Sequence, residues 1–211
     1  MMQVPVILLL CCKQENISCE SHYRGSMQPD RMSDFPKAGF ARLLKFFESS
    51  TDDVVKLTRA FGLATKIHKG QLLGKTEPYI NHLLRTALIL VEELQTRDLD
   101  LACAALLHAA SDSIQDEELK EYSERVYSTV RAAAGLPNAE QQFAAMSKAP
   151  KDVRYVRLAE QLDIARSIKN QALRDKMLRF KDETQKYVMP IATATDDKIA
   201  FKLSLALYEL K

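Results

Sequence analysis

The stretch LDLACAALLHAA, residues 99–110, decides the fold class, because it is apolar on almost every side of a helix. A helix of this kind is expected at the centre of a helical bundle. The flanking sequence agrees, with no proline between Tyr79 and Leu136 and no glycine between Lys75 and Ala134. A long segment without these helix breakers favours helices joined by short polar turns. The sequence therefore predicts an all-α fold.

Helical periodicity extends over most of the remaining chain. Apolar residues recur every three or four positions in seven further segments, which is the spacing of an amphipathic helix. These segments are residues 35–49, 51–68, 78–91, 116–134, 152–168, 171–187 and 196–210. The two glycines within residues 69–77 predict a loop there. We therefore expect a bundle of about eight helices.

Composition limits the domain organisation and the classes of partner. The chain has 211 residues, 46% of them hydrophobic, which is too apolar for a mainly disordered protein. Its length favours one domain, which we place at residues 32–211. Lys and Arg number 30 against 28 Asp and Glu, so the net charge is +2. This balance gives no general electrostatic argument for nucleic acid, and we expect no nucleic-acid partner.

The first 31 residues differ in character from the rest. An apolar run, residues 4–12, precedes the first positive charge at Lys13, whereas a secretory signal has basic residues before its apolar core. The run is shorter than the roughly 20 residues that span a bilayer, so we expect no membrane span. We interpret residues 1–31 as a disordered leader or an extension of the gene model. A signal or lipoprotein-like anchor is the alternative.

Cysteine usage favours a reducing compartment. Three of the four cysteines lie in the first 31 residues, which leaves Cys103 alone in the helical body. A single thiol cannot form a disulfide within the domain, and disulfides are rare in the cytosol. We therefore expect a cytoplasmic protein.

Three histidines of the body are candidates for chemistry: His68, His82 and His108. A histidine in an apolar helix is more often a hydrogen-bonded core residue than a ligand. Asp112 follows His108 by four residues, so an uninterrupted helix would place both on one face. Glu160 has apolar neighbours one turn away in each direction. It is either a solvated charge at the edge of the core or a carboxylate directed at a site between helices.

Four motifs occur in a particular order along the chain: HKGQ at 68–71, PYINH at 78–82, AALLH at 104–108 and RLAE at 157–160. Together they resemble the hydrolase domain of the RelA/SpoT family, and the PYINH block is the most specific of them. This is the HD-domain group that removes the 3′-pyrophosphate from the alarmone (p)ppGpp. The resemblance covers roughly residues 51–169 and implies an HD-type helical bundle.

The resemblance also implies a divalent metal, usually manganese. His82 and His108 match the two histidine ligands of the family. Glu160 stands where the family has a later aspartate, and so keeps the carboxylate on a longer arm. Ala109 stands where the family has the aspartate of its His-Asp pair, so that ligand is lost. Two imidazoles and one carboxylate are still a suitable donor set for a transition metal.

The residues that the family uses for catalysis are also changed. Its Glu-Asp pair, which positions and activates the attacking water, corresponds to Asp112 and Ser113. Asp112 is thus the candidate catalytic residue, and Ser113 marks a lost carboxylate. The family's guanine-stacking arginine is Leu73, and an asparagine that helps to hold the nucleotide is Ile164.

His68 and Gln71 match the family's binding loop, whereas its basic position is Gly74 here, with Lys75 following immediately. By the same resemblance, His68, Gln71 and Lys75 are the candidate ligand-binding residues. The ligand would be a guanine nucleotide alarmone or another phosphorylated small molecule.

These changes affect the metal, the water and the base together. We therefore interpret the chain as a degenerate (p)ppGpp hydrolase homologue, inactive or weakly active. Two alternatives stay open: an active metal-dependent phosphohydrolase with an altered substrate, and a non-catalytic binding or interaction protein.

Overall fold

The computed structural model describes residues 35–134, 139–170 and 172–210. Within them the chain forms eleven α-helices, in the order α1 (Phe35–Leu44), α2 (Thr51–Ile67), α3 (Tyr79–Leu88), α4 (Leu99–Leu107), α5 (Asp116–Lys120), α6 (Glu124–Ala132), α7 (Ala139–Lys148), α8 (Lys151–Ser167), α9 (Arg174–Glu183), α10 (Met189–Thr195) and α11 (Asp197–Tyr208). A π-helical turn follows α3 (Ile89–Glu93) and another follows α9 (Thr184–Val188). Short 3-10 segments follow α4 (His108–Ser113) and α8 (Ile168–Asn170). The all-α prediction is confirmed.

Helix α4 lies at the centre of the bundle, as its apolar sequence predicts. Every residue from Leu101 to Leu107 is buried, and the helix packs against α2, α3 and α6. Asp98 caps its N-terminus by accepting a hydrogen bond from the Leu101 amide at 3.1 Å. This central helix fixes the position of His108, the residue that directly follows it.

Helices α3 and α8 pack against each other beside α4 and carry the other residues of interest. Nine of the ten residues of α3 are buried, among them the polar residues Asn81, His82 and Thr86. Helix α8 buries four polar or charged side chains: Arg157, Glu160, Gln161 and Asp163. Burial of polar groups is costly unless they have hydrogen-bond or ionic partners. The interface between α3 and α8 therefore depends on polar contacts as well as on apolar packing.

The helix count exceeds the expected eight for identifiable reasons. The segment 116–134 divides into α5 and α6, because Ser123 begins a new helix by accepting a hydrogen bond from the Val126 amide at 3.0 Å. The segment after α9 passes through a π-turn into α10, which we did not predict. Helix α7 lies in a stretch to which the sequence analysis assigned no helix.

The loop predicted at residues 69–77 contains a two-stranded antiparallel hairpin. Strand β1 (Leu72–Leu73) pairs with β2 (Glu77–Pro78), with Leu72 opposite Pro78. Gly70 and Gly74 have φ angles of +77° and +65°, a region that glycine adopts without steric cost. The hairpin leads the chain directly into α3.

The expectations for residues 1–31 lie outside the described residues. Among the helices of the described part, none combines the length and the apolar character needed to cross a membrane.

Candidate metal centre

Three side chains from three parts of the bundle converge in its interior. His82 lies in the first turn of α3, His108 directly follows α4, and Glu160 lies on α8. One ligand atom from each residue lies within 4.8 Å of the other two. The exposed fractions are 0% for His82, 2% for His108 and 1% for Glu160. The structure therefore brings together the three residues expected to hold a metal.

Hydrogen bonds define which ring nitrogen of each histidine is available. His108 Nδ1 lies 2.8 Å from the Ala105 carbonyl oxygen, which can only accept, so Nδ1 carries the proton. His82 Nδ1 lies 2.7 Å from Asp163 Oδ2, a carboxylate acceptor that places the proton on Nδ1 in the same way. Both Nε2 atoms are buried and lack a hydrogen-bond partner. In the neutral rings each Nε2 thus offers a lone pair.

The Glu160 carboxylate is ionised in the buried site. Burial alone raises its pKa, but the charge of Arg157 and the neighbouring His108 and His82 outweigh burial and lower the pKa to about 2. Arg157 Nη1 forms an ion pair with Oε2 at 2.6 Å, and His108 Nε2 lies 3.7 Å from Oε1. Neither carboxylate oxygen has a hydrogen bond of good geometry.

The donor set fits a divalent transition metal. Buried polar atoms are nearly always hydrogen-bonded, so unpartnered atoms that converge indicate a missing partner. Imidazole nitrogens suit transition metals, and two of them with one carboxylate leave coordination positions open for water. His82, His108 and Glu160 could therefore hold such an ion.

His68 and Gln71 lie close to this centre and contact each other. His68 Nδ1 lies 2.7 Å from Gln71 Oε1, while its buried Nε2 lacks a hydrogen-bond partner. Its ring lies 4.8 Å from the Tyr79 ring, which in turn lies 5.5 Å from the His82 ring. Burial lowers the pKa of His68, and the nearby His108 and His82 lower it further. Burial therefore favours the neutral form of the His68 ring.

Lys75 lies elsewhere, in a cleft of about 930 Å³ between the hairpin, α3 and α8. The cleft wall includes Leu73, Arg85 and Asp163 but none of the three convergent residues. Asp163 connects the two regions, because it is one of the residues that line the cleft and its carboxylate also accepts from His82.

Comparison with known proteins bears on the family and the fold of this chain. A protein-family model described as HD domain matches residues 60–196, which is well over half of the chain. The chain belongs to the HD-domain family. A solved structure of a metazoan ortholog of SpoT, which hydrolyzes ppGpp and plays a role in starvation responses, matches this HD-domain protein with a TM-score of 0.66. The match has 21% sequence identity and covers 74% of this chain and 97% of that one, which shows a shared fold. None of the curated proteins matches the chain.

The helix expected to continue through His108 to Asp112 is not present in the HD-domain protein. Helix α4 ends at Leu107 and the chain tightens into a 3-10 segment, so Asp112 does not share a helical face with His108. The Ala105 carbonyl oxygen accepts from the His108 ring, and a continuing α-helix would need this oxygen for the Ala109 amide. Asp112 and Ser113 are exposed and lie outside the convergent set.

Two residues of the HD-domain site were missed in the sequence: Asp163 and Arg85. Asp163 is 2% exposed and accepts hydrogen bonds from His82 and from Arg85. A signal was present, because Arg85 follows His82 by three residues and Asp163 follows Glu160 by three. Residues at this spacing lie next to each other on a helix.

Proposed function

We propose that this HD-domain protein holds one divalent transition-metal ion with His82, His108 and Glu160. We further propose that it is a degenerate homologue of (p)ppGpp 3′-pyrophosphohydrolases, inactive or weakly active. One observation carries the proposal: the buried Nε2 atoms of His82 and His108 lack hydrogen-bond partners, and both residues converge with the buried carboxylate of Glu160. Manganese is the ion that the family resemblance favours.

A metal in this position would supply a bound water of lowered pKa. Hydrolysis also needs a base within hydrogen-bond reach of that water. The family's second ligand carboxylate is Ala109 here, and its second catalytic carboxylate is Ser113. Asp112, the remaining acidic residue of this set, is exposed. These features support weak water activation rather than efficient turnover.

The cleft supports a phosphorylated small molecule as the ligand. Its wall carries six basic side chains and four acidic ones: Arg42, Lys75, Arg85, Arg166, Lys169, Lys176, Glu77, Glu92, Glu93 and Asp163. Such an excess of positive charge attracts an anion such as a phosphate. Leu73 also lines the cleft and cannot stack on guanine as an arginine would. We therefore expect a weak preference for the guanine base.

The test is pyrophosphate release from ppGpp in the presence of Mn²⁺. The unmodified chain is expected at background, and the double variant Ala109→Asp with Ser113→Asp is expected to release pyrophosphate above background. Ser204→Asp is the matched control, because it adds a carboxylate at an exposed position on α11. It is expected to stay at background.

Other outcomes of this assay discriminate the alternatives. Robust release of pyrophosphate by the unmodified chain would contradict the degenerate reading and establish an active enzyme. Hydrolysis of a different phosphorylated compound would favour the altered-substrate phosphohydrolase. If neither the unmodified chain nor the variants hydrolyse any such compound, a non-catalytic binding protein that uses the cleft becomes the better account.

A further inference from the structure

A chain of charged side chains stands behind His82, on the side of the ring opposite to the converging donor atoms. His82 Nδ1 lies 2.7 Å from Asp163 Oδ2. Arg85 Nε donates to Asp163 Oδ1 at 2.6 Å, and Arg85 Nη2 donates to Asp163 Oδ2 at 3.0 Å. Arg85 also forms an ion pair with Glu77 on the hairpin. Side chains from β2, α3 and α8 thus form a connected series that ends at His82 Nδ1.

Asp163 is a charged acceptor despite its burial. Arg85 donates to both of its oxygens, at 2.6 Å and 3.0 Å, so a guanidinium compensates the buried negative charge. A carboxylate has no proton to donate, so the His82 Nδ1 must carry the proton of the shared hydrogen bond. In the neutral ring, Nε2 then has a lone pair and faces the space shared with His108 and Glu160.

The two histidines of the site differ in this respect. His108 Nδ1 faces the carbonyl oxygen of Ala105, which is a neutral acceptor. His82 Nδ1 faces the carboxylate of Asp163. The Arg85 guanidinium holds this carboxylate with two hydrogen bonds, one to each oxygen. A carboxylate behind an imidazole fixes the orientation of the ring and increases the basicity of the opposite nitrogen. His82 is therefore the more strongly oriented donor of the two.

We propose that Asp163 is the positioning residue of the centre, because it fixes His82 as the Nδ1-protonated tautomer and strengthens Nε2 as a metal donor. Arg85 holds the Asp163 carboxylate, and Glu77 holds Arg85. The inference rests on the proposed function for its metal, but the tautomer of His82 belongs to the metal-free protein. The two can therefore be tested separately.

The first test uses the unmodified, metal-free chain. Long-range ¹H–¹⁵N correlation of the histidine rings at pH 8 distinguishes a protonated ring nitrogen from one with a lone pair. We expect His82 to show protonated Nδ1 and unprotonated Nε2. A His82 ring with the proton on Nε2, or one that averages between the two tautomers, would overturn the inference whether or not metal binds.

The second test compares Mn²⁺ affinity in two variants by calorimetry. Asp163→Asn keeps the side-chain shape but removes the charge, and we expect it to weaken Mn²⁺ binding about 10- to 100-fold. Asp152→Asn is the matched control, because Asp152 also accepts from a guanidinium, that of Arg125, but lies outside the cleft and the convergent set. We expect the control to bind Mn²⁺ as the unmodified chain does.

The results separate the two claims. Equal Mn²⁺ affinity in the Asp163→Asn variant and the unmodified chain would overturn the positioning role. Absence of Mn²⁺ binding by the unmodified chain would overturn the proposed function instead, and the tautomer measurement would still decide the role of Asp163. That measurement also decides it if the Asp163→Asn variant fails to fold.

Discussion

Arg157 and Glu160 form an ion pair one turn apart on α8, with 2.6 Å between Nη1 and Oε2. The exposed fractions of the two residues are 7% and 1%. In the metal-free protein Arg157 is the cation that compensates the buried carboxylate of Glu160. A bound divalent ion would place a second positive charge beside the same carboxylate. Arg157 and the metal would then both compensate the negative charge of Glu160.

Replacement of Arg157 tests this relationship. We expect Arg157→Met to destabilise the metal-free protein by about 3–5 kcal/mol, because it leaves a buried carboxylate without a compensating charge. Addition of Mn²⁺ should then raise the Tm of this variant more than that of the unmodified chain. Arg125→Met is the control, since Arg125 makes partly exposed ion pairs with Asp98 and Asp152. A cost of about 1 kcal/mol or less is expected there. Equal losses in the two variants would contradict the account.

The pH dependence of stability follows from the lowered pKa of Glu160. An unfolded glutamate titrates near 4.5, whereas the folded value is about 2. The ionised carboxylate therefore stabilises the metal-free fold above about pH 4.5, and this stabilisation is lost as the pH falls towards 2. Urea denaturation of Glu160→Gln should give a shallower decline over this interval than the unmodified chain. The decline should not vanish, since Asp163 also has a lowered pKa. Parallel curves would show that folding does not lower the pKa of Glu160, and would contradict the account.

The fold was predictable from the sequence to the extent that it depends on periodicity. The burial of α4 follows from residues 99–110, where almost every side of the helix is apolar. The division between α5 and α6 depends on the side chain of Ser123, and a hydroxyl cap is a local signal that helical period does not contain. The hairpin strands have two residues each, which is too short for an alternating pattern.

The sequence predicted the side chains that could bind the metal, but it did not predict the residues that contact them. Ordered motifs indicated His82, His108 and Glu160, and the structure brings these together. The role of Asp163 depends on packing between α3 and α8, which brings together residues 81 positions apart. The position of Asp112 depends on the end of α4 at Leu107, where no glycine or proline marks a boundary. A tertiary contact decides the role of Asp163, and a local hydrogen bond between the His108 ring and the Ala105 carbonyl oxygen accompanies the end of α4.

Restoration of the missing ligand should strengthen metal binding. Ala109 follows His108 directly and is partly buried against the core. Ala109→Asp is expected to raise the Mn²⁺ affinity about tenfold or more, a gain of about 1.4 kcal/mol, because it adds an anionic oxygen ligand. Isothermal titration calorimetry measures this, with Ser204→Asp as the control for an added surface charge. An unchanged affinity would show that position 109 does not face the metal.

The central helix should dominate the stability of the bundle. Leu106 is fully buried on α4, and Leu106→Ala is expected to cost about 2–5 kcal/mol of unfolding free energy. Leu205 on α11 is 51% exposed, so Leu205→Ala is expected to change stability by only about 0.5 kcal/mol. Chemical denaturation of both variants gives the comparison. Similar costs would mean that α4 does not lie at the centre of the fold.

The most direct measurement is the number of manganese ions bound per chain after equilibrium dialysis, in the unmodified protein and in His108→Gln. The exchange removes the Nε2 lone pair that, with His82 and Glu160, defines the centre. The account predicts one ion per chain in the unmodified protein and loss of that ion in the variant. Absence of bound metal in the unmodified protein, or equal binding by both proteins, would contradict it.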